Sequence, residues 1–284
     1  MKNWILLSIL SLLGTSVFAQ FGNVNPKYWD GAADKTTIIL LTDSEEVNEI
    51  LVQKLEKFWT LNPYELVEIS ELAQYTGKPE YLFLTPGTYT FTRTSPYMEY
   101  TVLKFNLTDG LNVSRRGEIN YDKVNFLGSG QFDLVESDNP ELMLEAEVQK
   151  CIQFLMNHAE IALSGKTPKK MDIKDYLAMI TKERHDEARK STLLITEDQL
   201  SEKAGSLSEV KGIYQHPIEV TEQDEIYQHV IDQSEGYAYV MFYRFANLTY
   251  KILVDTETGR LLYGKVATGF IQHQLGPKDF KKMN

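Results

Sequence analysis

Residues Thr36 to Trp59 read TTIILLTDSEEVNEILVQKLEKFW, and this stretch decides the fold class. Its first seven residues are Thr, Ile and Leu, a composition typical of a buried strand. Asp43 and Glu46 then have the spacing of a capping box that opens a helix. Apolar residues follow at helical spacing, namely Val47, Ile50, Leu51, Leu55, Phe58 and Trp59. A strand that leads directly into an amphipathic helix predicts an α/β arrangement.

The same order of elements occurs twice along the chain. Tyr64–Ile69 and the segment from Tyr81 onward continue the first series as strands. A second series starts at Thr192, where Thr196 and Gln199 again have capping-box spacing. The sequence therefore predicts an α/β (α+β) fold of two similar β-α-β-α-β-β units. Side-chain identity between the units is slight, so both duplication and convergence remain open.

A helical stretch separates the two units. Pro140 suits the first turn of a helix and Gly165 suits its end. A second helix is expected from Asp172 into the charged tract 182–190. We expect these helices to cover a sheet or to bridge two sheets, because an apolar stripe on an isolated helix has nowhere to bury.

The amino terminus has the pattern of an export signal. Lys2 precedes an apolar run from Ile5 to Val17, and Ala19 supplies the small residue before a predicted cleavage at Gln20. The run is shorter than the roughly 20 apolar residues of a membrane span. No cysteine follows the cleavage site, so a lipid anchor is not expected. The prediction is a periplasmic or secreted protein without a transmembrane anchor after signal removal.

These signals divide the chain into six segments. They are 1–19 signal peptide, 20–35 irregular segment, 36–135 first α/β unit, 136–190 connecting helices, 191–270 second α/β unit and 271–284 irregular tail.

Composition excludes several classes of protein. Apolar residues make up 43% and charged residues 24% of the chain, which is typical of a globular protein rather than a disordered one. The formal net charge of −11 argues against binding to nucleic acid. A single cysteine, Cys151, cannot form an internal disulfide, and its apolar helical setting indicates a core residue.

Motifs that would indicate chemistry are incomplete. The segment 164–167 (SGKT) resembles the end of a P-loop, but Glu160 stands where the first glycine is needed, so Gly165 is interpreted as a helix cap. Gly128-Ser129-Gly130 lacks the spacing of a nucleophile elbow and is interpreted as a loop. The five histidines never show zinc-hydrolase spacing. We therefore predict no catalytic, cofactor-binding or metal-binding residue.

The segment 254–264, VDTETGRLLYG, is interpreted as a hairpin. This hairpin and the order of elements resemble the α/β layout of the amino-terminal domain of TolB and related envelope proteins. The resemblance covers each unit as a pattern of elements only. It implies a role in envelope assembly rather than catalysis.

Aromatic residues provide the remaining indication of function. Tyrosine has a broad apolar face and a polar tip, which suit a protein interface or sugar stacking. The favoured alternative is structural, with one row packed beneath helices and the other on the surface of a sheet. The candidate interaction surface consists of Tyr89, Phe91, Tyr97 and Tyr100 in one hairpin and Tyr237, Tyr239, Tyr243 and Phe245 in another.

We therefore expect an exported envelope protein that acts through protein–protein contacts, in assembly or as an adaptor. Two alternatives stay open, an envelope polymer hydrolase that uses carboxylates and a carbohydrate- or small-ligand-binding protein. A hydrolase requires carboxylates about 5 Å or about 6.5–9.5 Å apart, a distance that sequence does not give. Identity of the partner and oligomeric state stay open as well.

Overall fold

The computed structural model describes residues 22–284 with gaps at 95–96, 114–118, 121–123, 133–137, 168–170, 246–247 and 269–273. The predicted signal peptide and its cleavage site between Ala19 and Gln20 lie outside the described residues. The helices are α1 Pro26–Trp29, α2 Glu45–Phe58, α3 Pro140–Leu163, α4 Ile173–Lys190, α5 Leu207–Ile213, α6 Gln223–Ile231 and α7 Pro277–Met283.

Two five-stranded sheets form the framework. Strands β1 Thr36–Leu40, β2 Tyr64–Val67, β3 Tyr81–Thr94, β4 Tyr97–Asp109 and β7 Asn125–Gln131 build the first sheet, in the order β2-β1-β3-β4-β7. Strands β8 Thr192–Ile195, β9 Ile218–Val220, β10 Tyr237–Phe245, β11 Leu248–Asp255 and β12 Leu261–Thr268 build the second, in the order β9-β8-β10-β11-β12. A small hairpin pairs β5 Asn112–Val113 with β6 Ile119–Asn120.

The two sheets have the same topology. In each, the three strands linked by crossovers are parallel, and the last two strands add as antiparallel neighbours. Thr36 pairs with Tyr81 in the first sheet, and Thr192 pairs with Tyr237 in the second. The prediction of an α/β fold with two similar units is confirmed, and each unit carries a fifth strand.

An irregularity also recurs at the same place in both sheets. Asp109 pairs with Leu82 and Asp255 pairs with Ala238, so these two aspartates are equivalent positions. A register shift lies one residue before each, between residues 107 and 108 in β4 and between residues 253 and 254 in β11. A shared bulge is a specific feature of a strand pair. It supports repetition of one structural unit.

Two helix starts differ from the sequence prediction. Helix α2 is capped by Ser44, whose Oγ accepts from Val47 N–H at 3.3 Å, so the Asp43 assignment is one residue early. Gln199 Oε1 does accept from Thr196 N–H at 3.2 Å, but the turn ends at residue 199. Helix α5 begins separately, because Gly205 adopts a left-handed φ of 73° between the two turns.

Helix α3 lies between the two sheets, as predicted for a bridging helix. One face packs on the first sheet and α2 through Val148, Ile152 and Leu155. Another face packs towards the second sheet through Ala146 and Phe154. Full burial of each of the larger side chains in this set contributes about 1.5–3 kcal/mol to the free energy of unfolding.

Polar side chains of α3 fix the second unit against it. Gln149 Nε2 donates to Val230 O in α6 at 2.5 Å, and Asn157 Nδ2 donates to Thr258 O in the β11–β12 turn at 3.2 Å. Glu147 and Lys150 form a buried ion pair at 2.6 Å. Buried hydrogen bonds of this kind restrict the docking of two elements to one register.

The terminal segments are more ordered than the sequence suggested. Trp29 is fully buried and its indole N–H donates to Asn23 O. Gly22 forms an antiparallel bridge to Gly128. At the other end, helix α7 buries Phe280 beneath the second sheet. The prediction of irregular structure at 20–35 and 271–284 missed these helices, because single aromatic residues give no periodicity.

Candidate functional site

A groove of about 560 Å³ lies between helix α4 and strand β12. Leu177, Ala178 and Val266 contribute apolar surface to it. Its lysines are Lys174 and Lys182 from α4, Lys265 from β12 and Lys282 from α7, and His185 of α4 also lines it. Asp and Glu do not occur among the described residues that line it.

Gly264 allows α4 to approach the sheet edge closely. A Cβ at this position would lie 2.5 Å from Leu177 Cδ2 and 3.1 Å from Leu177 Cβ. Thr181 Oγ1 accepts from Gly264 N–H at 3.0 Å and lies 3.4 Å from Gly264 O, while Arg184 donates to Leu261 O at 2.8 Å. Helix α4 therefore covers part of the outer edge of β12, and the groove begins where this cover ends.

The charge of the groove is only partly neutralised. Asp279 accepts from Lys265 Nζ at 2.7 Å and from Lys251 Nζ at 2.8 Å. Burial raises the pKa of Asp279, but hydrogen bonds from Gly276 N–H and the two lysines outweigh it and hold the pKa below its usual value. Within the described chain the exposed lysines of the groove form no salt bridge, namely Lys174, Lys182 and Lys282.

The groove is therefore a site of positive charge on an acidic chain. The net charge of the chain is −11, so its overall field repels anions, whereas the lysines of this groove attract them locally. Exposed lysines bind anions weakly one at a time, at about 0.2–1 kcal/mol each. Convergence of several cations over an apolar floor suits an anionic partner that also has apolar side chains.

The buried carboxylates of the described residues already have partners. Glu147 is paired with Lys150, and Asp279 is held by two lysines. Asp255 Oδ1 accepts from Thr258 N–H at 2.8 Å within the β11–β12 turn, as the hairpin interpretation requires. Among the residues that the structure describes, no group of three or more His, Cys, Asp or Glu is arranged to hold a metal ion.

The predicted aromatic surface is wrong for Tyr239 and Tyr243 of strand β10. Tyr239 is 3% exposed and Tyr243 is 2% exposed, and both belong to the core beneath α3, α4 and α6. Tyr237 is half-buried, with its ring 4.4 Å from that of His229. The prediction that these tyrosines share one face of the strand is correct, but helices cover this face of the sheet. The side chains of Tyr89, Phe91, Tyr97, Tyr100 and Phe245 lie outside those the structure describes.

The other motif residues, Ser129, Cys151 and Gly165, lie in a strand, in the core and at a helix end. Ser129 lies within β7 and is buried, so the loop interpretation of residues 128–130 is wrong. Cys151 is 2% exposed within the core of the first unit, which confirms the prediction of a core residue, and burial raises the pKa of its thiol well above the usual value. Gly165 adopts φ 68° just after α3, consistent with a helix cap.

Sequence reasoning missed the groove because its lysines come from three elements. Lys174 and Lys182 are two helical turns apart, which is a weak signal of a shared face. Nothing local connects them with Lys265 or Lys282. Packing of α4 and α7 around the end of β12 brings these residues together.

No family model, curated protein or solved structure matches this chain. In the described part of the chain, no helix is both long and apolar enough to cross a lipid bilayer.

Proposed function

We propose that this chain acts through protein–protein contacts in the cell envelope, by binding an acidic segment of a partner protein in the groove between α4 and β12. The observation that supports this proposal is the convergence of Lys174, Lys182, Lys265 and Lys282 on one groove without a lining carboxylate. The predicted export signal supports an encounter outside the cytoplasm.

A peptide fits the groove better than a bare anion does. Leu177, Ala178 and Val266 offer apolar contacts that an inorganic ion cannot use. A chain segment with acidic and aliphatic residues satisfies both the cationic rim and the apolar floor. Because the lysines are exposed, the electrostatic part of binding weakens with salt over a screening length of about 8–10 Å.

Fluorescence anisotropy with a labelled peptide rich in Glu and Val tests this function. The groove variant carries Lys174→Glu, Lys182→Glu and Lys282→Glu. The control variant changes the same net charge at exposed lysines elsewhere and carries Lys57→Glu, Lys78→Glu and Lys203→Glu.

We expect the groove variant to bind at least about tenfold more weakly than the wild type. Loss of three attractions of about 0.5–1 kcal/mol each sets this lower bound. The control variant changes only the long-range field, so its affinity should stay within about twofold at physiological salt. Equal weakening of both variants, or no binding by the wild type, contradicts the proposal.

A further inference from the structure

Strand β7 is the edge strand of the first sheet, and it occupies the same place in its sheet as β12 does in the second. Asn23 N–H donates to Leu127 O at 2.9 Å, and Gly22 bridges Gly128 in antiparallel orientation. The amino-terminal segment therefore pairs with this edge through one isolated bridge and one hydrogen bond. Because the two units share topology and bulge, β12 presents the equivalent edge in the second unit.

The equivalent edge of β12 is covered at one residue and open at the next outward-facing one. The N–H and C=O of Gly264 face outward, since both lie close to the Thr181 hydroxyl. Outward-facing residues alternate along an antiparallel strand, so the N–H and C=O of Val266 also face outward. Val266 lines the groove, and no hydrogen bond from its outward backbone groups is seen in the described part of the chain.

We propose that the acidic partner segment binds in extended form, as an added strand that pairs with the backbone of Val266. This inference rests on the proposed function, because it concerns the occupant of the same groove. Backbone pairing supplies affinity in strand addition, and side-chain surroundings supply specificity.

The charged residues around this edge determine which side chains are favoured in the added strand. Successive residues of a strand point to opposite faces of the sheet. Lys174 and Lys182 lie on α4 at one face, while Lys265 is paired with Asp279 and lies beside Lys282 at the α7 face. Both faces of an added strand therefore meet cations. The favoured segment has consecutive acidic residues, rather than acidic residues at every second position.

A pair of substitutions at Val266 tests the backbone contact without changing any charge. Val266→Pro removes the outward N–H, and proline is tolerated on an edge strand where that N–H faces outward. Val266→Thr keeps the N–H and the β-branched shape, so it is the matched control. We expect at least about tenfold weaker binding of the acidic peptide by Val266→Pro, and binding within about twofold of wild type by Val266→Thr.

A second measurement uses the wild-type protein and does not depend on folding of a variant. The peptide is N-methylated at alternate residues in two versions of opposite parity. An added strand turns only one parity of N–H groups towards β12. One version should lose binding and the other should keep it.

The outcomes separate the two proposals. Equal affinity of both N-methylated versions, with Val266→Pro binding like wild type, overturns strand addition and leaves the basic groove as the binding site. No binding of the unmodified acidic peptide overturns both. Binding of inorganic phosphate or anionic lipid vesicles in place of the peptide, with the same lysine dependence, also overturns strand addition.

Discussion

His158 should make the stability of this protein fall as the pH is lowered from 6.5 to 4. The imidazole is 1% exposed, and its ring centroid lies 5.8 Å from that of Trp29 and 5.8 Å from that of Tyr176. Burial lowers the pKa of His158 from 6.5 to about 4. The carbonyls of Leu127 and Asn23 lie near enough to favour the charged form slightly, but neither ring nitrogen makes a well-formed hydrogen bond.

The sign and size of the effect follow from this shift. Below pH 6.5 the unfolded chain takes up a proton on His158 that the folded protein does not, until the pH reaches about 4. The contribution of neutral His158 to stability is therefore present above pH 6.5 and is lost progressively as the pH falls from 6.5 to about 4. Lowering the pKa of His158 from 6.5 to about 4 corresponds to about 3 kcal/mol of folding free energy.

Urea unfolding of wild type and His158→Gln across the same pH range tests this prediction. Glutamine removes the titrating group, so the free energy of unfolding of the variant should fall about 3 kcal/mol less between pH 6.5 and 4 than that of wild type. Other titrating groups contribute to both curves and cancel in the difference. His216→Gln is the control, because that ring is only half-buried whereas His158 is 1% exposed. Parallel curves for wild type and His158→Gln would refute the reasoning.

Three further predictions concern packing, charge and export. Gly264→Ala should destabilise the protein by about 1–3 kcal/mol in urea unfolding, because its Cβ would lie 2.5 Å from Leu177 Cδ2; unchanged stability would show that α4 can move away. Lys150→Met should lower the free energy of unfolding by about 3–5 kcal/mol, because it leaves Glu147 charged and buried. The double variant Lys150→Met/Glu147→Leu should recover most of this loss in the same assay. Mass spectrometry of the protein from its native cells should find Gln20 as the first residue, and an intact leader would contradict the export prediction.

The local signals in the sequence were sufficient for the first strand and the helix that follows it. The run from Thr36 to Phe58 forms a strand and a helix because alternation, periodicity and capping act over a few residues. The shift of the cap from Asp43 to Ser44 shows the limit of such signals, since both residue types can cap a helix. The repeated order of elements likewise predicted two similar units.

Local sequence patterns do not show which face of strand β10 is covered by helices. Alternation places Tyr239 and Tyr243 on one face of β10, but a strand has the same alternation whichever face is covered. Only the docking of α3, α4 and α6 on the second sheet buries these tyrosines. The bulge shared by the two sheets was also invisible, because register depends on pairing between distant strands.

The sequence by itself determined the fold class, the repeated order of elements and the predicted export, because each depends on neighbouring residues. The tertiary structure alone decided where charge collects. Lys174, Lys265 and Lys282 are distant along an acidic chain, and they meet because Gly264 lets α4 reach the edge of β12 while α7 packs on the other face. Electrostatic fields add in space, so a binding site of this kind exists only after the elements have packed.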